Sequence, residues 1–189
     1  QYPGYATDSQ KRYNPFYFPG EFSPSVIRHG IEVGQAVIKR WGIAPECCLT
    51  HFEISPSRKT DPGPYFRYKI FAEHGIGVWP KHDRVVDEVL KTSMRYVQGL
   101  LMKWGISGVE QNGLFNLGTK CALQAFYMRY LPGKVKWGVF ADSPKRKTVF
   151  DEVKTWEDFP YAKDELVIVL SNLASQRYGF EIIETPSGV

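Results

Sequence analysis

The stretch His51-Phe52-Glu53-Ile54-Ser55-Pro56-Ser57-Arg58-Lys59-Thr60-Asp61-Pro62-Gly63-Pro64 joins two kinds of backbone. Its leading edge, Cys47-Cys48-Leu49-Thr50-His51-Phe52, is short, partly β-branched and bounded by turn formers, which predicts a strand with His51 near its C-terminal end. Its trailing part, Ser55 to Pro64, holds three prolines and a glycine, a composition that excludes regular structure and predicts a rigid loop. Strand ends are common sites for ligands, and the stiffness of such a loop suits metal ligation.

Upstream, Ser23 offers a capping hydroxyl and Pro24 a first helical position, and apolar residues recur at Val26, Gly30, Val33, Val37 and Trp41. This spacing predicts a helix that buries that one face. Gly42 supplies a left-handed cap, Ile43 folds back on the last turn, and Pro45 prevents resumption. The first 22 residues, rich in Tyr, Phe, Pro and Gly, read as an aromatic surface loop. Downstream, Phe66 to Ala72 suits a short helix, and Gly75-Ile76-Gly77-Val78-Trp79-Pro80 closes the unit, with a domain boundary expected near residue 82.

The second part of the chain is predicted to be mainly α. Val86, Leu90, Met94, Val97 and Leu101 give one helix from Val85 to Trp104, capped by Asp83 and ended by Gly105. Further helices are expected over Thr119–Tyr130 and Asp164–Tyr178, the latter ended by Gly179, with Lys134–Phe159 as loop between them.

A length of 189 residues admits one or two domains, and 43% hydrophobic with 15% aromatic residues describes an ordered protein. A net charge of +4, with Lys145-Arg146-Lys147 as a solvated loop, gives no electrostatic case for nucleic acid. Cys47, Cys48 and Cys121 form no CxxC pair and read as small buried hydrophobes. No apolar run reaches the roughly 18 to 20 residues that span a bilayer.

His51 and Asp61 are ten residues apart with Lys59 between them. On spacing alone they are as readily a polar pair or two surface residues as metal ligands, and Lys59 a solvated loop cation. The run from Ile54 through Pro64 and Phe66, with Gly75–Pro80 after it and Trp41-Gly42-Ile43-Ala44-Pro45 before it, resembles the signature of AmpD/AmiD-type N-acetylmuramoyl-L-alanine amidases. The resemblance implies that His51 and Asp61 are two of three zinc ligands and that Lys59 stabilises the transition state. It also implies an α/β fold: residues 1–82 would be the later part of a peptidoglycan-recognition-like mixed sheet with helices. Residues 83–189 would be a small helical peptidoglycan-binding domain, to which Leu101–Gly105, Ala122–Phe126 and Leu173–Phe180 are similar.

The family's first zinc histidine and its catalytic glutamate lie on early strands, and no counterpart is recognisable here. His29 lies in the first helix, and His74 and His82 lie in the closing turn, where they read as ordinary helix or loop histidines. The abrupt start at Gln1 then predicts an upstream segment, cleaved, disordered or separate, that supplies both groups, and sheet edges left exposed without it. By resemblance, the partner is peptidoglycan or a muropeptide, the setting cell-wall turnover or muropeptide recycling, and the location the periplasm or cell envelope. Phe126 is expected in the core. Two other readings stand beside the enzyme: a non-catalytic peptidoglycan-binding protein of the same fold, against which His51, Lys59 and Asp61 argue together, and an unrelated interaction domain whose DPGP loop is only a rigid turn.

Overall fold

The computed structural model of the protein describes residues 21–81, 88–137 and 148–178. Outside them lie most of the N-terminal aromatic segment, His82, the Asp83 cap and the boundary near residue 82, the Lys145–Lys147 cluster, and Gly179 and Phe180.

Helix α1 spans Pro24–Trp41, with the Ser23 hydroxyl accepting from the Val26 amide, Lys39 and Arg40 in the last turn, and Gly42 in the left-handed region at φ 61°. The Ile43 amide folds back to the Ile38 carbonyl as expected. The buried face differs from the expected one. Ile27 and Ile31 are buried with Phe71 in a small cluster, whereas Val33 and Trp41 are 63% and 69% exposed and Val26 and Val37 are also exposed. The small residues decide this: a Cβ on Gly30 would stand 3.0 Å from the Phe71 ring, and one on Gly34 2.6 Å from Ile76. The helix therefore packs through its glycine side, where close approach is possible.

The expected strand before the loop is absent. Pro45 opens a 3₁₀ turn over Pro45–Cys47, and His51–Ile54 form a single helical turn, α2. The cause is Glu53, whose Oε2 accepts from both the Thr50 amide and the Thr50 hydroxyl at 2.9 Å. This closes a capping box that coils the backbone instead of extending it. No strand or sheet occurs among the described residues, so the expected mixed α/β architecture gives way to a helical one there. The expected sheet edges are likewise absent from them.

Helix α3 spans Tyr68–Glu73, two residues later than expected. The long helix expected over Val85–Trp104 is broken into α4, Glu88–Thr92, and α5, Met94–Trp104, because the Ser93 hydroxyl accepts from the Tyr96 amide and starts a new helix. Gly105 ends α5 in the left-handed region, as read from sequence. Asn116 caps α6, Leu117–Tyr130, and α7 spans Lys163–Tyr178.

Helix α6 is buried along nearly its whole length, Phe126, Tyr127 and Tyr130 included. Around it pack Val97, Leu101 and Trp104 of α5, Leu166, Leu170 and Leu173 of α7, and Phe150, Trp156 and Phe159 of the preceding loop. The same core takes in Phe52 of α2 and Tyr68 of α3, so the turn that bears His51 rests directly on the helical part. Of the cysteines only Cys121 is buried; Cys47 is exposed, since its 3₁₀ turn lies at the surface.

Candidate metal centre

The loop of three prolines returns the chain to α2. Amides of Arg58 and Lys59 donate to the Ser55 carbonyl at 3.0 and 2.9 Å, Arg58 Nε donates to Ser55 Oγ at 2.9 Å, and the Asp61–Pro62 peptide is cis. Pro56, Gly63 and Pro64 are buried while Lys59 and Asp61 point out to solvent-exposed positions. Beyond Asp61 the Gly63 carbonyl accepts from the buried Tyr68 hydroxyl at 2.7 Å.

This path brings His51 and Asp61 together. His51 Nδ1 stands 2.5 Å from Asp61 Oδ2, and the two side chains are 64% and 52% exposed. Two donors on one tetrahedral zinc, each at about 2.0–2.1 Å, lie roughly 3.3 Å apart. The observed contact is that of a hydrogen-bonded pair, within about one ångström of ligand spacing. An imidazole and a carboxylate on an open surface fit as part of a zinc donor set. Among the described residues no group of three or more His, Cys, Asp and Glu is placed to hold a metal. His29 and His74 match their ordinary reading: the ring Nδ1 of each bonds a carbonyl of its own helix, Ser25 at 2.8 Å and Ile70 at 2.9 Å.

Two charged residues beneath the pair escaped the sequence reading. Glu53 is 1% exposed and its carboxylate pairs with the guanidinium of Arg129, on α6, which is 5% exposed. Burial alone pulls Arg129 down, but Tyr130 and Glu53 outweigh it and hold the guanidinium above its ordinary range. Thr50 and Glu53 at i and i+3 are a capping-box pattern legible in the sequence; the distant Arg129 carries no local signal.

Over 76 residues, 40% of this chain and 27% of the relative, the sequence is 41% identical to N-acetylmuramoyl-L-alanine amidase AmiD of Escherichia coli strain K12. The sequence likeness to AmiD is confined to that stretch. No family model matches it. Among solved structures it is similar to the complex of E. coli AmiD with anhydro-N-acetylmuramic acid-L-Ala-D-gamma-Glu-L-Lys, with a TM-score of 0.56 and 24% identity over 84% of this chain and 54% of that one. That likeness is one of fold. The chain thus spans 27% of the length of the curated relative it matches and 54% of the solved chain.

Proposed function

We propose that this chain is part of a zinc-dependent N-acetylmuramoyl-L-alanine amidase, in which His51 and Asp61 hold the ion and Lys59 stabilises the transition state. The observation that carries the reading is the 2.5 Å approach of His51 to Asp61 across a ten-residue loop. The sequence likeness to AmiD supports the amide between N-acetylmuramic acid and L-alanine as the bond cleaved, and a peptidoglycan fragment or muropeptide as substrate. The reading requires a further protein ligand and a general base besides these residues.

When bound, zinc supplies Lewis acidity and an activated water nucleophile near neutral pH. The protein's own residues set the geometry. The His51 imidazole and the Asp61 carboxylate are donors of the type zinc prefers, and their exposure leaves room for substrate. In this reading Lys59, two residues before Asp61, supplies the ammonium that stabilises negative charge developing on the scissile carbonyl oxygen. Phe126 and the tyrosines of α6 belong to the core, so any wall-binding surface of the helical part, proposed for residues 83–189, lies elsewhere. The envelope location follows from the substrate; no helix among the described residues is long and apolar enough to cross a membrane.

The deciding experiment measures zinc per chain after dialysis, together with release of L-alanyl peptide from anhydro-muropeptide, for the wild type, Asp61→Ala and Lys59→Ala. Zinc lost with Asp61→Ala, and zinc kept but hydrolysis lost with Lys59→Ala, is the expected result. Peptidoglycan retention that survives both changes, with no hydrolysis by the wild type, would instead mark a non-catalytic binder.

A further inference from the structure

We infer that Arg129 is a positioning residue that sets the His51 turn and the Asp61 loop in register; the inference rests on the metal reading above. His51 and Asp61 are exposed, so their own packing does not fix them. What fixes them lies underneath. Arg129 Nη1 donates to Glu53 Oε2 and, at 3.3 Å, to the Cys48 carbonyl. The same Glu53 oxygen accepts the Thr50 amide and hydroxyl that cap α2. One guanidinium therefore grips the backbone before His51 and the side chain that coils it.

The same group also reaches the Asp61 arm. The Arg129 guanidinium lies 5.8 Å from the centre of the Tyr68 ring, and the Tyr68 hydroxyl holds the Gly63 carbonyl two residues beyond Asp61. Space for it is made by Gly77, at φ 85°, where a Cβ would stand 2.5 Å from Arg129 Nη2. Gly77 belongs to the closing turn singled out in the sequence, which the proposed chemistry does not otherwise use. The far end of α2 is held from the same side, the Ser107 hydroxyl donating to the Ile54 carbonyl at 2.5 Å and the Ser107 amide to the Glu53 carbonyl at 3.3 Å. A buried charge is a costly way to hold a core together, and apolar replacements often serve stability as well. Arg129 Nη1 donates to both acceptors from one rigid planar group, a geometry that the flexible single-centred lysine ammonium does not reproduce.

The test is Arg129→Lys in the full chain, read in two ways. Without metal, amide hydrogen exchange at Ile54 and Ser55, which close α2, is expected to speed up at least about tenfold, with α5, α6 and α7 as protected as in the wild type. With zinc, affinity measured by competition against a chromophoric chelator is expected to fall by about 10- to 100-fold, the range for residues that orient metal ligands. Unchanged exchange at Ile54 and Ser55, or an equal loss of protection through all the helices, would overturn the inference, the second making Arg129 a residue of general stability. Should Arg129→Lys not fold, Glu53→Gln, which keeps an acceptor for Thr50 but removes the charge that Arg129 grips, is read the same way. A wild type that takes up no zinc sinks the metal reading alone, since the exchange data still decide whether Arg129 sets the turn.

Discussion

Tyr68 on α3 donates its hydroxyl to the Gly63 carbonyl at 2.7 Å, and this bond ties the loop that carries Asp61 to the main core. The tie is buried, so nothing from solvent replaces it when it is removed. Tyr68→Phe keeps the ring, with its edge contact to Phe52, and loses only the hydroxyl. A loss of roughly 0.5 to 1.5 kcal/mol in unfolding free energy is expected in urea, because the Gly63 carbonyl is left with the long 3.4 Å bond from the Phe66 amide. Zinc affinity should weaken in the same variant. A variant as stable as the wild type would show that the loop holds itself.

The Glu53–Arg129 pair gives a sharper energetic signature. Arg129→Met leaves a buried carboxylate unpaired and should cost about 3 to 5 kcal/mol, as should Glu53→Leu for the opposite reason. The double replacement removes both charges and should recover most of that loss in denaturant titrations. Additive losses would mean that the two side chains do not act as a pair.

Alkaline pH should unfold the protein sooner than a count of surface charges suggests. Tyr127 and Tyr130 are both pushed well above the ordinary 10.0, chiefly by burial. Above pH 10 the unfolded chain releases these protons while the folded protein retains them, so the unfolded state binds fewer and stability falls as pH rises. Stability from these groups is therefore complete below about pH 10 and lost progressively above it. Melting temperatures from about pH 8 to about pH 11 check the sign. Ultraviolet titration of the folded protein should also find fewer than its 11 tyrosines ionising.

Trp41 and Val33 make the opposite prediction from most large apolar residues. Being 69% and 63% exposed, they should tolerate Trp41→Ser and Val33→Ser within about 0.5 kcal/mol in this chain, by thermal or urea unfolding. Ile31→Ser, one face away and buried against Phe71, should cost several times as much.

Local signals that act within one turn of backbone were legible in the sequence. Ser23, Pro24 and Gly42 bound α1 as read, Gly105 ends α5, and Phe126 sits in the core. Where two local signals compete, the sequence misleads: Thr50 suits a strand until Glu53 reaches back to cap it, and an unbroken apolar period hides the hydroxyl of Ser93 that restarts the helix. The face of α1 expected from sequence shares Gly30 with the observed one but centres on the valines and Trp41, whereas the close approach allowed at Gly34 turns Ile27 and Ile31 inward. For the candidate site, the pairing of His51 with Asp61 was legible from a contiguous motif. Its support from Arg129 and Ser107 was not, because those contacts join residues far apart in the chain and leave no local period or spacing.

The hold of Ser107 and Arg129 on α2 also has a consequence for the order in which the protein is made. Synthesis runs from the N-terminus, so His51 and Asp61 emerge from the ribosome well before the arginine that grips the turn between them. Until α6 has been translated, the pair hangs on a short stretch of chain with no buried anchor for Glu53. On the proposed metal reading, competence to take up the ion is thus acquired late, and a nascent chain halted before Arg129 carries His51 and Asp61 without the means to hold them still.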